Sequence, residues 1–204
     1  KNLRFYIDNA TEFEEFDLFN LTFDKFKLLW LCLSYDSISS NIPLELKNSS
    51  IVNEKKITKQ LYSDYSSFRQ ELFNDLIKNN PNIEKKIILH KTQKLLDRIL
   101  FILFSEDRGL LPTNSISEII NFWDTKKEFG DDEYLYNTFV TYFDVINKGR
   151  QKRGNKDAIY SYNGGLFQED DVLDNLVISD EILLKYTKKL TAYDFESEVS
   201  VDIL

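Results

Sequence analysis

The chain has no methionine, one cysteine, one histidine, three prolines and six glycines among its 204 residues. One cysteine, Cys32, rules out an internal disulfide and fits a reducing, cytoplasmic compartment. With His90 as the sole histidine, neither a zinc cluster nor a histidine-driven nucleophile finds the partners it needs. Few glycines and prolines argue against an all-β protein full of tight turns and favour helices. No apolar run approaches the ~20 residues that span a bilayer, and no signal-peptide pattern is expected from these residues. Phosphate-binding loops of the G-x-x-x-x-G-K-[ST] or G-x-G-x-x-G kind are missing. The missing methionine and the C-terminal "SEVSVDIL", where an apolar-periodic segment only starts, lead us to expect a piece of a longer protein.

Material for a core is plentiful, since 42% of the residues are hydrophobic and 14% aromatic. The net charge of −8 argues against a surface that grips nucleic acid everywhere; any such contact must be local.

The periodicity predicts a mainly α protein, a helical bundle around a central buried helix with a short N-terminal β-hairpin or strand pair. "LRFYID" from Leu3 alternates as a half-buried strand, Asp8 to Thr11 reads as a turn, and "FEEFDLF" from Phe13 as a second strand. These strands are expected to edge a larger sheet or lean on the helices, because a lone hairpin is barely stable. Thr22 can cap a helix with Phe23, Phe26, Trp30 and Leu33 on one face. Ser37 to Lys56 reads as polar and irregular. A second helix carries Leu61, Tyr65, Phe68, Leu72 and Leu76, and Asn80-Pro81 ends it. The third, from about Glu84 to Arg108, contains six apolar residues in a row, Ile99 to Phe104, and closes at Gly109. A helix apolar all round is buried all round, so this one is the expected rod of the bundle. A fourth opens on Ser115 and Glu118 as a capping box, a fifth carries Leu135, Phe139, Phe143 and Ile146, and a last one starts near Ser179.

Few residues suggest chemistry. "ELK" at Glu45 to Lys47 has the letters of a nuclease motif but stands in a polar stretch, so it reads as coincidence. Asn163-Gly164-Gly165 reads as a tight turn needing positive φ, pinned by Leu166 and Phe167. Asp97, Arg98, Glu106, Asp107 and Arg108 are expected in structural roles. Lys94 pairs with Asp97, and Arg98 takes an acid from a wall helix, since an unpaired buried charge is costly. The one charge cluster is "KGRQKRGNK". Lys148, Arg150, Lys152, Arg153 and Lys156 there read as a solvated loop or as a clamp on DNA phosphates, with a log–log salt slope near −4.5 at most.

Several blocks resemble one family. "KTQKLLDRILFILFSEDRGLLP" (Lys91 to Pro112) resembles the signature of type IIG restriction–modification proteins, which fuse an endonuclease and an adenine-N6 DNA methyltransferase. "YNGGLF" (Tyr162 to Phe167), "YDFESEVSVDIL" (Tyr193 to Leu204) and the stretch Glu12 to Ser34 are similar to further blocks of that family, and BREX-type phage-defence methyltransferases share similar ones. The resemblance implies a helical connector. Residues 1–20 would end an upstream nuclease domain, and 21–204 would lead into a methyltransferase domain. It implies double-stranded DNA and the flanking domains as partners. It places no catalytic residue or metal on this chain and leaves S-adenosylmethionine and Mg2+ to the parent. A central helix of about 36 Å would match roughly ten base pairs. The alternative is a free-standing helical module that binds a protein partner.

Overall fold

The computed structural model describes residues 1–6, 13–154, 156–162 and 164–195, with 51 and 54 by backbone alone. Among the described residues seven helices and one antiparallel strand pair make a mainly α fold with a short N-terminal β element. The chain divides into two compact units, Lys1–Lys56 and Ile57–Leu204.

In the first unit, β1 (Asn2–Phe5) pairs with β2 (Glu14–Asp17), Leu3 opposite Phe16. The turn expected at Asp8 to Thr11 lies outside the described residues. Thr22 accepts the Lys25 N–H and caps α1 (Phe23–Leu33) as expected, and Ser34 then caps the short α2 (Tyr35–Ser39). The face of α1 that is covered is not the expected one. Phe23, Phe26, Trp30 and Leu33 all stay exposed, Trp30 at 64%, while Cys32 is buried. Among the described residues of this unit Phe16 and Cys32 are the buried hydrophobics, too small a core to cover a second apolar stripe.

The stretch expected to be irregular is helical. α3 (Ile42–Asn79) takes in most of Ser37 to Lys56, with Pro43 in its first turn, where its missing N–H costs nothing. "ELK" therefore sits on a helix rather than the short strand a nuclease site uses.

The second unit is built on α4 (Lys85–Asp107), the expected rod. Ile88, Leu95, Leu96, Ile99, Ile102 and Leu103 are buried against α3, α5 (Ser115–Glu128), α6 (Leu135–Lys148) and α7 (Asp180–Leu190). Phe101 and Phe104 are only half-buried, yet each is sealed by rings: Phe101 by Tyr162 and Phe167, Phe104 by Phe195.

α3 and α7 are zipped by polar contacts around the stacked rings of Phe68 and Tyr186. Asp75 accepts the Ser179 N–H at 2.9 Å, Glu71 pairs with Lys185 at 2.8 Å, and Asp64 takes Lys189 at 2.7 Å and the Tyr193 hydroxyl at 2.6 Å. Asn80 ends α3 and ties the chain beyond it to Val177 in both directions, accepting its N–H and donating to its carbonyl.

The turn from α4 into α5 follows one expectation and breaks another. Gly109 is left-handed (φ +67°) and Leu110 N–H returns to the Ser105 carbonyl at 2.8 Å, the usual glycine stop. The Ser115–Glu118 capping box does not form. Asn114 is the cap residue, without a side-chain bond, and Ser115 lies inside the helix, its hydroxyl donating to Pro112 O and accepting from Tyr142. The capping acceptor comes from the preceding helix instead: the Glu106 carboxylate takes the Ile116 N–H at 3.3 Å. Glu118 is drawn off to Lys156.

Candidate functional site

Three features cluster along α4 and the chain that returns to it. The first is a buried charge lock. Lys91, Lys94 and Arg98 stand at i, i+3 and i+7, one stripe of the helix. Arg98 is 1% exposed, and every donor branch is met: Nε gives to Leu166 O at 2.9 Å, Nη2 to Gln168 O at 2.8 Å, and Nη1 to Asp174 at 2.9 Å. Its guanidinium lies 5.0 Å from the Phe143 ring centre. The acid thus comes from a 3-10 turn (Leu173–Asn175), not from a wall helix as expected.

Lys91 and Lys94 converge on Asp170 at 2.6 and 2.9 Å, so the expected Lys94–Asp97 pair does not form; Asp97 accepts from Gln93 instead. Although burial opposes its charge, Lys91, the Leu173 N–H and Lys94 hold the Asp170 carboxyl well below the usual carboxylate range. Asp174 also accepts the Asp170 N–H, so the two acids form one rigid receptor for the α4 stripe.

The loop that carries this receptor contains Gly164 and Gly165. The positive φ expected there is absent: Gly164 has φ −87°, and Gly165 opens a 3-10 turn (Gly165–Phe167). Asn163 lies outside the described residues. Gly164 is needed for space, because a Cβ there would overlap the Tyr162 ring, itself packed edge-on between Phe101 and Phe167. Phe167 is buried and Leu166 packs beside the core, which is the pinning expected of both.

The second feature is the end of α4. Glu106 is 7% exposed, and burial lifts its carboxyl to about 7, against the bonds it accepts from Ser115 and Ile116. Asp107 accepts the Phe195 N–H at 2.7 Å. Consecutive carboxylates therefore fasten two different segments to the rod, the start of α5 and the chain after α7. Arg108 is the exposed C-cap residue.

The third is the basic loop. Arg150 and Ile159 exchange backbone hydrogen bonds at 2.7 and 2.8 Å, as do Arg153 and Lys156 at 3.1 Å, so the segment is a narrow hairpin rather than a free loop. Gly149 makes its entry possible: at φ +79°, a Cβ would meet the Ser161 amide nitrogen at 2.9 Å. Lys148 pairs with Asp144 at 2.7 Å and Lys156 with Glu118 at 2.6 Å, while Arg150 Nη2 gives to Asp157 O. Among the described residues only Lys152 and Arg153 of the five stand exposed without an ion pair.

Asp64, Asp75, Asp170 and Asp174 are the structural acids that reading the sequence missed. The last two had a signal, acids four apart that complement the cationic stripe at 91, 94 and 98. His90 is exposed and Cys32 buried. Among the described residues no group of three or more His, Cys, Asp or Glu is arranged to hold a metal ion, and no helix is long and apolar enough to cross a membrane.

No curated protein and no solved structure matches the chain. Residues 90–167, which run from the rod through the basic hairpin to Phe167, match the family model described as "MmeI, helicase spacer domain", so this part of the chain is similar to the spacer region of a type IIG restriction–modification enzyme.

Proposed function

We propose that the chain is a helical connector that holds an endonuclease and an adenine-specific DNA methyltransferase in fixed relation within one restriction–modification enzyme. The observation that carries this reading is the spacer match, which falls on most of the rod, the cationic side of its charge lock and the hairpin. A helix of 23 residues, about 35 Å long and packed into the core along its second half, bends little, and its buried cation ties it to the returning chain. The rod thus supplies stiffness rather than chemistry. Mg2+ and S-adenosylmethionine belong to the flanking modules in a cytoplasmic parent enzyme. Residues 1–20 close the nuclease side, and 21–204 lead to the methyltransferase.

The hairpin touches the DNA backbone in this reading. Lys152 and Arg153 at its tip reach phosphates, while Lys148, Arg150 and Lys156 hold the hairpin in place. Such contacts position a duplex without reading its sequence.

The test uses the full-length parent. Inserting seven helical residues into the polar first half of α3 lengthens it by about 10 Å and keeps its faces in register. The cut should move by about three base pairs relative to the methylated base. A cut that stays in place overturns the connector reading.

The exposed Phe19, Phe23, Trp30 and Tyr35 favour a second reading, a free-standing module whose aromatic face seats a protein partner. The reading frame on either side decides: flanking nuclease and methyltransferase motifs support the connector, and stop codons at both ends support the module.

A further inference from the structure

The first unit leaves more apolar surface in water than it buries. Its described residues bury Phe16 and Cys32, while Phe19, Phe23, Phe26, Trp30, Leu33 and Tyr35 stay exposed. Within α1 the exposed side chains are not scattered. Phe23, Phe26, Trp30 and Leu33 follow at spacings of three, four and three, which sets them on one narrow stripe. Leu28, half-buried, and Cys32, buried, lie on the opposite side of the helix, the side that the unit covers. A stripe this narrow is a seam for one further helix rather than the broader face that lies on a sheet.

The spacing of the stripe reads the same in both directions. A second α1 laid antiparallel therefore sets Phe26 against Trp30 of the other copy, and Phe23 against its Leu33. Parallel copies would instead put Trp30 on Trp30 and align the two helix dipoles. The cations beside the stripe do not oppose the approach, because Lys25 is paired with Glu14 at 3.4 Å and Lys27 with Asp24 at 2.9 Å. Lys27 also rests on the Phe23 ring, 4.4 Å from its centre, a rim contact at one end of the seam. The area is sufficient. Phe23, Phe26 and Trp30 are 71, 46 and 64% exposed, and Phe19 (79%) and Tyr35 (84%) flank them in the chain. At about 150–250 Å² for a whole aromatic side chain, these five offer roughly 500–850 Å² per copy. Two copies reach about 1,000–1,700 Å², the range of a specific but modest interface.

We propose that the chain forms a symmetric dimer through α1, the stripes of two copies packed antiparallel. A two-fold interface of this kind needs no other partner, since each copy contributes the same patch. The dimer does not depend on the DNA contact and serves a connector or a free-standing module alike.

Sedimentation velocity across the micromolar range should show one chain passing to two. The emission of Trp30 should move to the blue with the same midpoint, while Trp123, already buried, stays constant. Trp30→Lys and, separately, Phe26→Lys should keep the chain monomeric throughout, and Trp30→Phe should still dimerise. Both lysine changes fall on exposed positions, and circular dichroism checks that each variant folds. Phe23→Cys chains mixed with Leu33→Cys chains should form disulfides with each other and not with themselves; the native Cys32 is buried on the other side of the helix. A chain that stays monomeric, a dimer that persists in both folded lysine variants, or cross-links only between like chains would each overturn the proposal. So would a full-length parent that is monomeric with Trp30 already shielded, because another part of the same chain would then cover the stripe.

Discussion

Arg98 Nη1 and Asp174 Oδ1 lie 2.9 Å apart, and the arginine side chain is 1% exposed while the aspartate is 20% exposed. The asymmetry decides which partner can be lost. Removing Asp174 leaves a full charge in the core, whereas removing Arg98 leaves a carboxylate that water can reach. Asp174→Ala should therefore cost about 3–5 kcal/mol. Arg98→Met, which keeps volume and deletes the charge, should cost distinctly less. Urea unfolding of both variants checks the order, and the reverse order would show that the pair contributes little.

Glu106 and Asp170 respond to pH in opposite directions. Burial raises the Glu106 carboxyl from 4.5 to about 7, so the folded chain holds this proton more tightly than the unfolded chain does. Its contribution is fully present below pH 4.5 and is lost as pH rises towards 7, roughly 3 kcal/mol in all. Glu106→Gln should gain on the parent chain as pH goes from 5 to about 8. Asp170 is lowered by Lys91, Leu173 N–H and Lys94 despite its burial, so its contribution is present above 3.8 and lost as pH falls below that. The deficit of Asp170→Asn should shrink on acidification. Urea midpoints across pH read both, and a constant gap in either series contradicts the assignment for that residue.

Gly164 and Gly165 are neighbours with different constraints. Gly164→Ala sets a methyl into the Tyr162 ring and should cost about 1–3 kcal/mol as overpacking. A Cβ on Gly165 meets nothing within 4 Å, so Gly165→Ala should change stability little. Thermal unfolding of the two variants separates space from backbone conformation as the reason for the pair.

The hairpin divides its cations into tip and frame. If the parent enzyme holds DNA through the tip, Lys152→Ala with Arg153→Ala should flatten the log–log salt dependence of duplex binding by about 1.8. Lys148→Ala with Lys156→Ala should leave that slope nearly unchanged, because both lysines are already spent on Asp144 and Glu118. Fluorescence anisotropy over a salt series measures both. Equal losses from the two pairs would contradict the division, and no loss from either would dismiss the DNA contact.

Most of the helices were legible because periodicity is a local property. Ile99 to Phe104 announced the most buried stretch of α4, although Phe101 and Phe104 are half-buried, Gly109 announced its end, and Thr22 the start of α1. The polar first half of α3 was missed because a helix with no apolar face carries no periodic signal. The capping box failed for another reason. The helix starts one residue before the predicted cap, at Asn114, so the Glu118 N–H that a Ser115 cap would have used goes to the Asn114 carbonyl.

What the sequence alone determined is the class of fold, the buried rod and the places where it begins and ends, since these follow from the order of apolar and polar side chains along a single helix. Tertiary structure decided the pairings. That Arg98 would be held by Asp174 and the carbonyls of Leu166 and Gln168, and that Lys94 would leave Asp97 for Asp170, depend on segments up to 76 residues apart. A charge interacts with whatever is closest in space, and local sequence spacing does not say which segment that is.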